Sequence, residues 1–431
     1  MTPAGKTEVT GAAATRQRAS ILIAIAASGL CACAPAPEPS PAADAAESGA
    51  VLTGLDVVLR DDGGPLAGKR VGLITNHTGI DRNGDFGVDL LHAAPELELV
   101  ALFSPEHSIT GAVDAGESVD SGVYGDTGIP IHSLYGEIRK PTPEMLEGID
   151  VLAFDIQDIG TRYYTYVWTM ALAMQAAAEN DIEFVVLDRP NPIGGELFHG
   201  NIQDSTQLTF VGLYPVPMRH GFTPGELAAY LNSEHGIGAR LTVVQLENWN
   251  RSEWFDDTGL PWLAPSPNMP SVESATHYAG TCLFEGTNVS VGRGTDAAFA
   301  QIGAPWIDAD SLSARLARYN LPGVRFEPVT FTPAAPGDRK FADTPVHGVR
   351  LVTTDRTVHD PARAGIAALV EIHSMYGDTL TFRNAHFDRL AGTTRVRTMI
   401  EEGASLDEIT ATWPSQLSSF AAVRGRYLLY P

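Results

Sequence analysis

The segment from 71 to 103 decides the fold. It opens with the apolar run VGLIT (71–75), closes with the apolar run LVALF (99–103), and carries apolar residues at helical spacing over 86–94. Runs of about five continuous apolar residues are typical of strands buried on both faces. The helical spacing of the apolar residues over 86–94 predicts a helix between them. A strand, a helix and a second strand in this order predict two parallel strands of an α/β sheet.

The same alternation continues towards the carboxyl terminus. One helix is predicted over about 163–180 and another over 223–234, where Thr223 and Glu226 form a capping box. The sequence therefore predicts a Rossmann-like, doubly wound parallel sheet over residues 51–304. Further strands of this sheet are predicted at 131–134, 151–154, 184–187 and 241–246.

The remaining residues, 305–431, have a different pattern. Strand-like runs at 349–353 and 379–382 mix with helical patterns at 362–376 and 406–419. This mixture predicts a smaller, auxiliary α+β domain that packs beside the first.

The first residues of the chain indicate export. Two arginines precede the apolar stretch 20–30, which predicts a signal peptide over residues 1–33. The sequence LCAC (30–33) resembles a bacterial lipobox, which implies cleavage before Cys33 and acylation of its thiol. An ordinary signal peptide without lipid is the alternative.

Residues 34–50 are rich in proline and alanine and have no hydrophobic periodicity, so they predict a tether rather than a folded segment. We therefore expect an exported protein that contacts the membrane only through a lipid anchor. The expected location is the outer membrane, facing the periplasm.

Charge and motifs exclude several classes of partner. The chain has 29 Lys and Arg against 52 Asp and Glu, a net charge of −23, which repels nucleic acid. No G-x-G-x-x-G follows the first strand, where the sequence is TNHTG (75–79), so no dinucleotide cofactor is expected. No H-x-H or H-E-x-x-H is present, and only Cys282 follows the predicted signal peptide, so we also expect no metal.

Polar side chains follow four of the predicted strands directly. Because ligands of open α/β sheets bind outside the carboxyl ends of the strands, these residues predict a polar active site at one edge. The four segments are NH (76–77), SPEH (104–107), DIQDIGTRYY (155–164) and DRPNP (188–192).

Longer motifs carry a resemblance that covers nearly all of residues 51–431. They are GLITNHTGI (72–80), LFSPEH (102–107), LYGEIRKPTPEML (134–146), DIQDIGTRYYTYVWTM (155–170), VVLDRPNPIGG (185–195), PSPNMPS (265–271), GTCLFEGTNVSVGRGTD (280–296) and RYLLYP (426–431). On these the chain resembles the NamZ-type exo-β-N-acetylmuramidases. The resemblance implies release of N-acetylmuramic acid from non-reducing ends of peptidoglycan, at a cleft between a Rossmann-like domain and an auxiliary domain.

Glu106 is the predicted general acid/base. The family's key glutamate lies in a Pro-Glu-His motif, which falls here on Glu106, and a strand end is a suitable place for a proton donor. We expect His107 to orient it or to contact a hydroxyl group. The family usually has glycine at the next position, whereas this chain has Ser108, which would cost about 1 kcal/mol if the backbone there needs a positive φ.

The second catalytic role has three candidate carboxylates, Asp155, Asp158 and Glu285. We favour Asp158 because it follows a strand end beside Arg162 and Tyr163. The substrate's own 2-acetamido group is a further alternative nucleophile.

The lactyl carboxylate of N-acetylmuramic acid calls for a cation or a cluster of backbone N–H groups. The arginines inside the motifs are Arg162, Arg219 and Arg293, and the polar run 288–296 offers backbone donors. The full set of expected substrate-binding residues is Asn76, His77, Asp155, Arg162, Tyr163, Arg219, Glu285, Asn288 and Arg293.

Two rival functions remain open at this point. The first is a metal-dependent hydrolase built on His77, His107 and His220. The second is a non-catalytic lipoprotein that binds peptidoglycan without cleaving it.

Overall fold

A seven-stranded sheet forms the centre of the larger part of the protein, in a computed structural model that describes residues 49–111, 113, 117 and 121–431. The predicted signal peptide with Cys33 and nearly all of the tether lie outside the described residues. Residues 49–431 form one compact unit. None of the helices described is long and apolar enough to cross a membrane.

The strand order in the large sheet is β3-β4-β2-β1-β5-β6-β7, and all neighbours are parallel except β3 and β4. Successive strands run outward from β1 on one side and then from β5 on the other, so the predicted doubly wound sheet is confirmed. The strands are β1 Arg70–Thr75, β2 Glu98–Ser104, β3 Gly122–Tyr124, β4 Ile129–Ser133, β5 Val151–Asp155, β6 Glu183–Leu187 and β7 Arg240–Val244.

The smaller sheet has three antiparallel strands in the order β8-β10-β9. They are β8 Gln301–Ala304, β9 Val324–Phe331 and β10 Val346–Thr353. With the helices that follow, this sheet forms the predicted α+β part. Its first strand precedes the predicted boundary at 304, and that boundary stays a prediction.

Eleven α-helices are found in the described residues. They are α1 Gly54–Arg60, α2 Gly87–Ala93, α3 Tyr166–Glu179, α4 Pro224–Glu234, α5 Val272–Thr281, α6 Ala309–Ala317, α7 Pro361–Tyr376, α8 Asn384–Ala391, α9 Arg395–Glu401, α10 Leu406–Thr410 and α11 Trp413–Arg424. The predicted capping box of α4 is confirmed, since the Thr223 side chain accepts from the Glu226 N–H and the Glu226 side chain accepts from the Thr223 N–H.

The two parts of the molecule share a core. One hydrophobic cluster runs from Phe103 and Phe154 in the large sheet to Phe387 in α8 and Phe420 in α11. Helices α5 and α7 cross closely at Gly280. A Cβ added there would lie 1.9 Å from a backbone oxygen of α7, so only glycine fits. A shared core of this kind holds the two walls of any cleft between the parts in a fixed relation.

Two local predictions were wrong. Residues 379–382 do not form a strand; Thr379 ends a 3₁₀ turn, and Phe382 makes only an isolated bridge to Thr287. The helix predicted over 406–419 is two helices, α10 and α11, and Pro414 lies in the first turn of the second. Proline is favoured in a first turn because its missing N–H has no partner there in any case.

Candidate active site

A cleft of about 410 Å³ lies where the carboxyl ends of the large sheet meet the C-terminal helices. Glu106 and Tyr135 reach it from just past the ends of β2 and β4. The opposite wall comes from the segment after α5 and from α8. The cleft is lined by Glu106, His107, Tyr135, Arg139, Tyr163, Tyr164, Thr165, Tyr166, Thr209, Phe210, Val211, Ser266, Met269, Tyr278, Glu285, Arg293, Phe299, Gly337, Asp338, Arg383, His386, Arg389 and Leu390.

Glu106 is held in the cleft by hydroxyl groups. Its side chain is 8% exposed, and the Thr165 hydroxyl donates to its Oε2 at 2.5 Å. The Tyr135 hydroxyl also hydrogen-bonds Glu106. Burial raises the pKa of Tyr135, and the charge of Glu106 acts in the same direction. Tyr135 is therefore a stable neutral donor beside the carboxyl group.

The turn that presents Glu106 has a left-handed backbone. The φ angles are 70° at His107 and 65° at Ser108. Left-handed φ disfavours residues other than glycine by about 1–2 kcal/mol. The position after Pro-Glu-His does therefore require a positive φ, and Ser108 adopts it at this cost.

His107 is fixed by its backbone surroundings. It is 5% exposed, its Nδ1 lies 2.6 Å from the Val113 carbonyl oxygen, and its ring stacks edge-on against Tyr166. Because a carbonyl only accepts, Nδ1 carries the proton in this hydrogen bond. His107 thus braces the loop next to Glu106.

Four tyrosines form the floor of the cleft. Tyr163, Tyr164, Tyr166 and Tyr278 lie edge-to-face in a chain of contacts with ring centroids 5.0–6.0 Å apart. The Tyr163 hydroxyl donates to the Ala279 carbonyl at 3.2 Å. Edge-to-face contacts of this kind stabilise aromatic clusters and make the floor of the cleft rigid.

Glu285 and Arg293 form an ion pair on the C-terminal wall. Nε of Arg293 lies 2.7 Å and Nη2 lies 2.5 Å from Oε1 of Glu285. Burial acts to raise the pKa of Glu285, but the charge and hydrogen bonds of Arg293 outweigh it and hold that pKa below its ordinary value. Arg293 therefore favours the ionised form of Glu285 in the cleft.

Arg139, Arg383 and Arg389 give the cleft a cationic side, and His386 lies beside them. Nη2 of Arg389 lies 2.6 Å from Nδ1 of His386. Burial, followed by the charge of Arg389, lowers the pKa of His386 to about 4, so the imidazole is neutral and Nδ1 accepts. The Arg139 guanidinium lies over the Phe210 ring, 4.5 Å from its centroid.

The two other carboxylates considered for catalysis lie outside the lining of the cleft. Asp155 is fully buried and forms a bidentate pair with Arg189, at 2.5 Å and 2.9 Å. Asp158 accepts from the Gly160 N–H at 2.7 Å and lies 3.7 Å from Nε2 of His220. Its Oδ1 has no hydrogen-bond partner among the described residues.

Arg162 and Arg219 are also outside the lining, and both are fully buried. Arg162 donates to the carbonyls of Asn201, Val216, Leu390 and Ala391 at 2.8–3.1 Å. Two of these carbonyls belong to the last turn of α8, where a cation is favourable. Arg162 therefore positions the helix that carries Arg389, whereas Arg219 donates to the Ile193 carbonyl.

The remaining predicted binding residues are engaged with backbone groups. Asn76 accepts from the Thr78 N–H at 2.9 Å, and Nε2 of His77 lies 2.8 Å from the Ala264 carbonyl oxygen. Asn288 bridges to the backbone of 379–381. The predicted residues that line the cleft are Glu106, His107, Tyr163, Glu285 and Arg293.

Several lining residues were not predicted from sequence. Tyr135 follows the end of β4, so the rule that polar residues after strands line the site could have found it. Arg383, His386 and Arg389 lie on or next to α8, and no strand end marks them. Their spacing of three residues puts them on one helix face, which is also the pattern of an ordinary solvated face.

Comparison with known proteins identifies the family. The model described as exo-β-N-acetylmuramidase NamZ, N-terminal, matches residues 71–273, and its C-terminal counterpart matches residues 276–430. The chain belongs to the NamZ family. The predicted family and the predicted enzyme class, a glycoside hydrolase, are thereby confirmed.

Individual proteins similar to this chain support the same family assignment. A peptidoglycan β-N-acetylmuramidase NamZ of Bacillus subtilis is 47% identical over 386 residues, covering 89% of this chain and 92% of the relative. Two crystal structures of DUF1343 family proteins from Bacteroides fragilis match with TM-scores of 0.83 and 0.71, at 36% and 34% identity. They cover 88% and 89% of this chain and 99% of their own chains.

Proposed function

We propose that this chain releases N-acetylmuramic acid from the non-reducing ends of peptidoglycan glycans, with Glu106 as the general acid. The supporting observation is the position of Glu106, which lines the cleft and is held between the hydroxyls of Thr165 and Tyr135. The similarity to a peptidoglycan β-N-acetylmuramidase over 89% of the chain supports the substrate class.

In the proposed reaction the bond between C1 of the sugar and the bridging oxygen breaks. Glu106 gives its proton to that oxygen, so that it leaves as a hydroxyl, and a water oxygen finally bonds to C1. The proton that this water loses returns to Glu106, which restores the acid for the next turnover. Thr165 and Tyr135 keep the carboxyl group in one orientation through both steps.

The positive charge that develops at the sugar needs a second group. We propose Glu285 for this role in place of Asp158, because Glu285 lines the cleft and is held ionised by Arg293. Oδ2 of Asp158 instead accepts a hydrogen bond from the Gly160 N–H.

The test is hydrolysis of a chromogenic β-N-acetylmuraminide and of the matching β-N-acetylglucosaminide by the full chain. We expect selective cleavage of the first, and release of single sugars rather than oligosaccharides from intact glycan strands. In E106Q we expect kcat to fall by about 10²–10⁴-fold with little change in KM.

A matched control is E137Q, since Glu137 is an exposed carboxylate near the cleft that does not line it. It should keep wild-type kcat. Binding of muropeptides by the wild type without any sugar release would instead favour a non-catalytic binding protein, and loss of activity in a chelator would favour a metal-dependent one.

We also propose that Cys33 carries a lipid anchor that places the enzyme at the membrane. The lipobox-like sequence LCAC (30–33) supports this. Labelling with a fatty-acid probe should mark the wild type and C31S but not C33S. Equal labelling of C33S would contradict the proposal.

A further inference from the structure

Three arginines in the cleft have no acidic partner among the residues that the structure describes. Arg293 is paired with Glu285, but Arg139, Arg383 and Arg389 have no carboxylate within 4.0 Å in the described ranges. In a chain of net charge −23, such a local excess of positive charge is unusual. Unneutralised cations that line a concave site are suited to bind an anion.

Arg389 is the most confined of the three. It is half-buried, and its Nε is a buried donor without a hydrogen-bond partner in the described part of the chain. Its Nη2 donates to the neutral His386. A partly desolvated guanidinium that is satisfied only on one side is costly unless a ligand completes it.

The helix that carries Arg389 is rigidly placed. Arg162 binds the Leu390 and Ala391 carbonyls at its end, and Gly286 packs so closely on Phe387 that an added Cβ would lie 2.6 Å away. The cationic side of the cleft is therefore preorganised, as a specific binding site requires.

Tyr135 lies close both to the proposed acid and to the arginines. The Tyr135 hydroxyl bonds Glu106, and Tyr135 also lies within reach of the charges of Arg139 and Arg389, which act against Glu106 on its pKa. The Arg139 guanidinium lies 6.0 Å from the centroid of the Tyr135 ring, and Arg389 lines the same cleft as Tyr135 and Glu106.

We propose that Arg389, supported by Arg383 and Arg139, binds the lactyl carboxylate of the sugar whose glycosidic bond Glu106 protonates. This inference rests on the proposed function. The lactyl ether on O3 is what distinguishes N-acetylmuramic acid from N-acetylglucosamine, and it carries the only negative charge of the sugar. The cationic side of the cleft thus selects the substrate, and Arg389 is its main determinant.

The test compares two substrates that differ only in this charge, a chromogenic β-N-acetylmuraminide and its lactyl carboxamide, on the full chain. R389Q should lower kcat/KM for the acid by about 10- to 150-fold, mainly through KM. It should change kcat/KM for the carboxamide by less than about threefold. R389K should recover part of the loss, since it keeps the charge but not the planar fork.

Two further variants keep the test decisive. R395Q removes an exposed arginine on α9 outside the cleft and should match the wild type on both substrates. R139Q removes an exposed arginine, which puts folding at little risk, and should lower kcat/KM for the acid by about three- to tenfold in a salt-dependent way.

Equal losses on acid and carboxamide in R389Q, or no loss on either, would overturn the proposal. Failure of the wild type to cleave either substrate would overturn the proposed function instead. In that case calorimetry with free N-acetylmuramic acid and N-acetylglucosamine tests the subsite alone. Selective binding of the acid that is lost in R389Q would support it, and equal binding of both sugars would contradict it.

Discussion

The carboxylates of Asp155 and Glu106 lie at the carboxyl ends of β5 and β2, the two strands that flank β1, but their surroundings differ. Asp155 ends β5, is fully buried and is gripped by two nitrogens of Arg189. Glu106 lies just past β2, reaches the cleft and is held by the hydroxyls of Thr165 and Tyr135. The pair with Arg189 holds Asp155 inside the core, whereas the two hydroxyls hold Glu106 where its carboxyl group lines the cleft.

The largest expected effect that sharpens this contrast is on stability. D155N should lower the free energy of unfolding by about 3–5 kcal/mol, because it leaves Arg189 buried and charged without its partner. Chemical denaturation measures this. D150N breaks the exposed pair of Asp150 with Arg70 and should cost at most about 1 kcal/mol. A D155N variant as stable as D150N would remove the structural half of the comparison.

Sequence predicted the central strands of the sheet well because they are buried on both faces. The predicted run 151–154 lies within Val151–Asp155, and 184–187 lies within Glu183–Leu187. The run 379–382 (TLTF) alternates polar and apolar residues as a strand does, yet its only bridge among the described residues is that of Phe382 to Thr287, far away in the chain. Local pattern carries no information on such a contact.

The candidate site was predictable on one wall only. Glu106 follows a strand end, and the rule that locates ligands there finds it. Arg162 follows a strand end too, but its guanidinium donates hydrogen bonds to four backbone carbonyls and does not line the cleft. Arg389 reaches the cleft from α8, and only tertiary packing brings it there. The sequence alone does not distinguish an arginine that hydrogen-bonds backbone carbonyls from one that lines a ligand-binding cleft.

A smaller effect tests the hydroxyl partners of Glu106. T165V removes the donor to Oε2 while keeping the shape of the side chain, and it should lower kcat by about two- to tenfold with KM unchanged. The Thr165 side chain makes no cap hydrogen bond to α3, so stability should hardly change. T165S should restore kcat. Unaltered kcat and an unaltered pH profile in T165V would mean that the hydroxyl does not position the acid.

The smallest effect concerns the turn that presents Glu106. S108G should raise the free energy of unfolding by up to about 1 kcal/mol. Removing the cost of the left-handed φ stabilises the folded state by more than the added conformational entropy of glycine stabilises the unfolded chain. S205G, at a position without positive φ, should lower it by about 0.5 kcal/mol. Thermal unfolding of both variants provides the comparison, and equal changes would mean that position 108 is not strained.

The dependence of E106Q activity on the leaving group tests whether Glu106 donates the proton. A dinitrophenyl leaving group departs without a proton, whereas a sugar or alkyl leaving group needs one. We expect E106Q to cleave an alkyl β-N-acetylmuraminide about 10²–10⁴-fold more slowly than the wild type does, but to cleave the dinitrophenyl glycoside within about tenfold of the wild-type rate. An equal loss on both substrates would contradict the assignment of Glu106 as the proton donor.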